Sequence, residues 1–336
     1  MFSSIIEGYE QLWKSIIRPP REDYLDIDLG PRRFVMDRKS YIRTDFSIVS
    51  CKGCRIQASH FEPSEEDRGC EILPCVIYLH GNSSSRLEGL VLAPLMLPMQ
   101  ATVVCFDWAG CGKSEGQYIT LGWNERHDLD IMIRYLRANR RVGCIGLWGR
   151  SMGAVSALFS ACNNLEICSM VLDSPFASME QLAYELARKN SNAPGFFLKF
   201  VYNKIRNTIE EKAGFDLSQL NPINLAKNCL QPAFFITGKN DEFILPHHTQ
   251  DLYQEYAGDK NIVYVDGDHN SPRPKICLGQ AAKFFYSTLL MDRIPKRIRS
   301  IRKKKYKPKE IESEEAMLRW AIDQSLKEFD NIRGSV

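Results

Sequence analysis

Hydrophobic and polar positions along the chain fall into two interleaved patterns. Short apolar runs stand at 75–80 (CVIYLH), 101–106 (ATVVCF), 143–148 (GCIGLW), 169–173 (SMVLD), 233–237 (AFFIT) and 262–265 (IVYV). Each has the length and the β-branched or aromatic content of a buried strand. Apolar residues recur at helical spacing near 85–96, 123–140, 152–163, 246–257 and 275–291. Strands joined by helical crossovers predict the α/β class: a parallel sheet with helices on both faces. The interval 174–232 is too long for a plain crossover. Its helical patterns at 178–189 and 195–212 predict a small helical cap, about 174–231, over one end of the sheet. Upstream, 45–50 and 55–61 alternate like the arms of a hairpin with Lys52-Gly53 at its turn.

At the N-terminus, Phe2, Ile5, Ile6, Tyr9, Leu12, Trp13, Ile16 and Ile17 share one helical face, and Pro19-Pro20 ends the helix. The polar face carries Glu7, Glu10 and Lys14 rather than a basic stripe. Residues 1–20 are therefore expected to form an amphipathic helix packed on the main domain rather than on a membrane. No apolar run approaches the ~20 residues of a membrane span.

Charge divides the rest of the chain. Residues 293–309 carry ten Lys or Arg and no acid, whereas 310–336 carry seven acids against three bases. The overall formal charge of +3 thus leaves residues 1–292 at −3, which argues against nucleic acid as a specific partner of the main domain. Residues 293–309 read as a basic linker, with three roles open: a solvated connector, a contact to anionic membranes, or a nuclear-import signal. The eleven cysteines are odd in number, several lie in core strands, and no secretory signal precedes them, so reduced thiols in a cytoplasmic protein are expected. Cys51 and Cys54, with Cys70 and Cys75, lack the two matched pairs of a zinc knuckle, and no metal or organic cofactor is expected.

Chemistry concentrates at Gly149-Arg150-Ser151-Met152-Gly153, a G-x-S-x-G pattern entered from a strand and left by a small-residue helix. That context is a nucleophile elbow: a sharp turn exposes Ser151, and Gly149 and Gly153 let strand and helix pass closely. Acyl transfer also needs donors aimed at the developing oxyanion. The N–H of Met152, next after the nucleophile, supplies one. The loop opened by His80-Gly81-Asn82 supplies the other, with Asn82 first and Ser83 next. A serine needs a base and an orienting acid. Of six histidines, His269 alone follows the last strand on a loop able to return to the elbow, whereas His80 reads as structural. Asp241 stands on the loop after the 233–237 strand and is the first choice of acid; Glu242 and Asp173 are the rivals.

These residues, in the order Ser, Asp, His, resemble the α/β-hydrolase superfamily over roughly residues 40–290. With the segment Phe106-Asp107-Trp108-Ala109-Gly110-Cys111-Gly112-Lys113-Ser114-Glu115-Gly116, the chain looks most like the serine-aminopeptidase-like branch, which includes lipid esterases and protein depalmitoylating enzymes. The resemblance implies an eight-stranded, mostly parallel sheet with a helical cap, spanning 21–292. It implies a serine hydrolase acting on an acyl-type small molecule or lipid through an ester, thioester or amide. The final helix, within 310–330, places Leu318, Ala321, Ile322, Ser325 and Leu326 on one face behind Glu312, Glu314 and Glu315. It resembles a ubiquitin-interacting motif, which implies ubiquitin as a partner. The competing expectation is an idle hydrolase scaffold acting as a ubiquitin-binding adaptor.

Overall fold

The computed structural model describes residues 2–294. The chain begins with α1 (Phe2–Ile17) and runs through β1 (Arg33–Met36), β2 (Lys39–Val49), β3 (Arg55–Pro63) and β4 (Leu73–Leu79) to a short α2 (Ala93–Met96). Then follow β5 (Thr102–Phe106), α3 (Glu125–Asn139), β6 (Val142–Arg150), α4 (Met152–Ala161) and β7 (Ile167–Asp173). Between β7 and β8 (Ala233–Gly238) lie α5 (Met179–Asn190), α6 (Gly195–Ala213) and α7 (Ile223–Ala226). The chain closes with α8 (Pro246–Glu255), β9 (Lys260–Val265) and α9 (Lys275–Thr288).

Nine strands form one sheet in the order β1-β2-β3-β5-β4-β6-β7-β8-β9. The pairs from β5 to β9 are parallel; β1, β2 and β3 add antiparallel strands at one edge. This is the mostly parallel sheet of the α/β-hydrolase fold, with nine strands instead of the expected eight. The extra strand, β1, is four residues long and joins β2 through Asp37-Arg38, both at positive φ (47° and 63°). Such a two-residue turn usually advertises itself with Asn or Gly; here neither is present, so the strand left no readable signal.

Both faces of the sheet are covered. On one, α4 is buried along its whole length against β6 and β7 with α3 and α8 beside it; on the other, α9 and the 86–99 segment pack. That segment is mostly 3-10 over Arg86–Leu92, because Gly89 lies directly on the sheet: a side chain there would meet Tyr78 Cβ at 2.7 Å and Cys105 Sγ at 2.6 Å. On α1, Trp13 and Ile17 are buried, and the Tyr9 hydroxyl donates to the Lys204 carbonyl (3.0 Å) on α6. Cys162 and Cys229 are joined in a disulfide and nine cysteines are free, which corrects the expectation of thiols throughout. The partners are 67 residues apart, beyond what local sequence can pair. No helix among the described residues is long and apolar enough to cross a membrane. Residues 295–309 of the basic linker and the 310–330 helix, with Leu318, Ala321, Ile322 and Ser325, lie outside the described residues.

Candidate active site

The elbow follows from the close approach of α4 to the strands. A side chain on Gly153 would overlap the Leu79 carbonyl oxygen at the end of β4, and one on Gly149 would stand 2.5 Å from the Ala154 nitrogen. Without side chains at these two positions, β6 turns directly into α4, and Ser151 takes φ 52°, ψ −119°. That left-handed conformation is rare for a residue with a Cβ and is sustained only where its surroundings over-determine it. Here the Ser151 N–H donates to the Asp173 carbonyl (2.8 Å), while its own carbonyl accepts from Ala154 and Val155. The hydroxyl is left just beyond the end of β6, with Ser151 9% exposed.

Two loops from the neighbouring strands converge on it. The Lys239 N–H donates to the Val265 carbonyl (2.8 Å) and Asn240 to Gly267 (3.1 Å), which zips the loop after β8 to the loop after β9. His269 Nε2 thereby lies 3.1 Å from Ser151 Oγ, and its Nδ1 lies 2.7 Å from Asp241 Oδ2. The other Asp241 oxygen accepts from the backbone of Phe243 (3.0 Å) and Ile244 (2.8 Å). Asp241 is buried, so its carboxylate is aimed and held by these contacts. The rivals are otherwise engaged. Glu242 is exposed and paired with Lys189. Asp173 is buried and gripped by Arg273, whose Nε and Nη2 donate to it at 2.8–3.0 Å. Burial works against the Asp173 charge, but the Arg273 guanidinium holds its carboxyl below the ordinary range.

On the oxyanion side, Met152 opens α4, and the N–H groups of a first helical turn have no intrahelical acceptor. A methyl group placed on Gly81 would lie 3.7 Å from Ser151 Cβ, so the Asn82 loop runs beside Ser151. The Asn82 side-chain oxygen is buried with no hydrogen-bond partner. His80 is occupied structurally: its Nδ1 donates to the Gly81 carbonyl (2.8 Å) and its Nε2 accepts from the Trp108 N–H (3.1 Å).

Three residues of this network escaped the sequence reading. Arg150 donates to the His269 carbonyl (2.8 Å) and pairs with Glu88 (3.2 Å), and Glu88 also accepts from Tyr78 (2.9 Å) and from the Gly81 N–H (3.0 Å). Arg273 donates to the carbonyls of Asp268 (3.1 Å) and Ser271 (3.2 Å), on either side of His269. The guanidiniums thus fasten the histidine loop to the elbow and to the end of β7. Burial opposes the charge on Glu88, yet Arg150 and the Gly81 N–H outweigh it and hold its carboxyl below the ordinary carboxylate range. A lowered acid pKa contributes stability above the unfolded value and loses it as pH falls through the folded one. The thermal midpoint is therefore expected to fall as the pH drops through the acid range. Glu88→Gln should be less stable at neutral pH, with a flatter dependence on the acid side; parallel curves for the two proteins would dismiss this role.

Among the described residues, one cluster brings three metal-type groups within 4.8 Å: Glu185, His247 and His248. Its hydrogen bonding serves another purpose. The Ala177 N–H donates to His248 Nδ1 (3.3 Å), leaving Nε2 to carry the hydrogen toward Glu185 (2.9 Å). No lone pair of that ring faces the cluster, which instead ties α5 to α8.

A family pattern described as PhoPQ-activated pathogenicity-related protein matches residues 167–325. Among solved structures, the chain is similar to the esterase Pf2001 of Pyrococcus furiosus (TM-score 0.60, 22% identity, covering 81% of this chain and 99% of that one). It is similar as well to an acetyl xylan esterase of Paenibacillus sp. R4 (TM-score 0.59, 18% identity, 83% and 99%). Identities this low speak for the fold. Among curated proteins, WAV2 of Arabidopsis thaliana, an alpha/beta hydrolase domain-containing protein, is 24% identical over 225 residues, 66% of this chain and 68% of that one. The uncharacterized protein YqkD of Bacillus subtilis is 30% identical over 244 residues, 68% of this chain and 73% of its own length. With the sheet order and the strand–elbow–helix turn described above, the chain belongs to the same family as YqkD, with the α/β-hydrolase fold.

Proposed function

We propose that the chain is a serine hydrolase in which Ser151 attacks an acyl carbon, His269 takes its proton and returns it to the leaving group, and Asp241 orients the imidazole. Water activated by the same histidine then releases the acid from the acyl-enzyme. The N–H groups of Met152 and Asn82 receive the oxyanion. What carries this reading is the continuous hydrogen-bonded line from Asp241 through His269 to Ser151, 2.7 Å and 3.1 Å long, at a strained elbow. The bond cleaved is an ester, thioester or amide. Esters come first, because two proteins of similar fold are named as esterases. The serine-aminopeptidase-like branch and an acyl or lipid substrate rest on the 106–116 segment; the cytoplasmic setting rests on the nine free cysteines, with the Cys162–Cys229 disulfide counting against it. The test is covalent labelling with a fluorophosphonate, the modified peptide identified by mass spectrometry, beside an acyl-chain-length series of esters and thioesters. Label on Ser151 with turnover supports the enzyme; no label and no turnover leaves the idle scaffold.

The same chain is proposed to bind ubiquitin through Leu318, Ala321, Ile322 and Ser325, on the strength of the spacing alone. A small Ala at the centre lets such a helix approach an apolar patch, and the flanking acids meet a basic rim. Affinity is expected to be weak, since one short helix buries less than the ~1,200 Å² of stable interfaces. In a titration of labelled ubiquitin, Ala321→Gln should abolish the saturating shift. Ser325→Ala should weaken it by about 0.5–1.5 kcal/mol, one hydrogen bond. Equal shifts for the parent chain and Ala321→Gln would end this assignment.

A further inference from the structure

The outward face of α6 carries a surface that neither packing nor the candidate site explains. This helix turns Leu198, Tyr202, Ile205 and Ile209 inward, at the i, i+4, i+7, i+11 spacing of a core-facing stripe. Its first two turns also carry Phe196, Phe197 and Phe200 on the outside, 80%, 49% and 64% exposed. Three exposed rings on adjoining turns form an apolar patch of the kind that marks an interaction site. The segment that carries them is basic: residues 186–209 contain five Lys or Arg and no Asp or Glu. Three of these are engaged, Lys189 with Glu242, Arg206 with Asp216 and Lys204 over the Tyr9 ring. The remaining two, Arg188 and Lys199, are exposed.

We infer that the N-terminal turns of α6 are a docking surface for an anionic phospholipid bilayer, with Phe196, Phe197 and Phe200 entering the interface and Arg188 and Lys199 meeting the phosphate headgroups. Aromatic and aliphatic side chains on one face of an interfacial helix sink to the headgroup–acyl boundary, and flanking cations add attraction to anionic lipid. Long Lys and Arg stems lie along the apolar layer while their charges reach the phosphates. A protein partner matches this surface less well, because the three rings offer no polar atoms to set a register. The end of α5, which leads into α6, lies beside the rim of the candidate site. Lys189, at the end of α5, bonds Glu242 beside Asp241, and half-exposed Phe243 lies 5.1 Å from the His269 ring. The docking itself does not depend on hydrolysis by that site.

The experiment is co-sedimentation of the full chain with phosphatidylcholine vesicles, with and without phosphatidylserine. The parent should bind the anionic vesicles, and the triple variant Phe196→Ser, Phe197→Ser, Phe200→Ser should bind at least about tenfold more weakly with an unchanged thermal midpoint. Because ten basic residues at 293–309 can add attraction to anionic lipid of their own, the comparison is repeated with those ten changed to Gln; the dependence on the phenylalanines must persist. Phe200→Trp should gain emission that brominated lipid quenches. Equal binding by the triple variant overturns the proposal. So does a parent that ignores anionic vesicles, or added indole emission in Phe200→Trp that stays unquenched when the protein is bound. A concentration-dependent dimer lost in the triple variant would assign the face to a second copy instead.

Discussion

Replacing Ser151 with alanine is expected to lower kcat on an ester substrate by on the order of 10⁶-fold and to leave the fold intact. The alanine keeps the Cβ and the backbone bonds that hold φ at 52°, so the elbow persists. It removes the oxygen 3.1 Å from His269 Nε2, and with it the attacking atom. Binding and the oxyanion donors alone retain roughly 10³–10⁴-fold over water. The comparison is kcat at matched thermal midpoint, with fluorophosphonate labelling run alongside. Parental turnover in the variant would make Ser151 a bystander.

Asp241→Asn should cost up to about 10⁴-fold in kcat, and the surroundings of Asp241 explain why. One carboxylate oxygen accepts from Phe243 and Ile244, so the oxygen of an introduced amide is drawn to that position. The amide NH₂ is then turned toward His269 Nδ1, which must accept rather than donate. The ring hydrogen moves to Nε2 and faces Ser151, where no base remains. Asp173→Asn tests the alternative. It weakens a buried pair with Arg273 that fastens the histidine loop, and breaking such pairs typically costs about 3–5 kcal/mol. Its signature is a lower thermal midpoint with kcat largely kept in the folded fraction. A large kcat loss in Asp173→Asn at an unchanged midpoint, beside a mild Asp241→Asn, would move the acid to β7.

Much of the fold was legible because its signals are local. The runs at 75–80, 101–106, 143–148, 169–173, 233–237 and 262–265 correspond to β4 through β9 to within a few residues. In a sheet covered on both faces a strand must be apolar throughout, and a helical crossover must follow to bring the next one back parallel. The failures are equally physical. β1 is short and turns through Asp37-Arg38, where no glycine marks the positive φ. The 85–96 segment has helical spacing, but Pro94, Pro98 and the contact at Gly89 keep it mostly 3-10. The Cys162–Cys229 bridge joins elements whose proximity only the completed sheet creates.

At the site, the chain order of Ser151, Asp241 and His269, the glycines at 149 and 153, and the strand-then-helix context were all present in the linear sequence. A nucleophile elbow is a local device, written in five residues and their flanks. Which acid faces the histidine was not so written, since Asp173, Asp241 and Glu242 all follow strands in sequence. The choice came from hydrogen bonds between the loops after β8 and β9, from Arg273 occupying Asp173, and from Lys189 drawing Glu242 outward. Glu88 and Arg150 were invisible for the same reason: they are 62 residues apart, and their pairing exists only because β4 and β6 are neighbours in the sheet. Sequence by itself determined the periodicities, the elbow and the candidate nucleophile and base, because those depend on backbone geometry over a few residues. The tertiary structure alone decided the acid's partner, the arginine fastenings and the exposed rings of α6, because each depends on which distant side chains burial brings together.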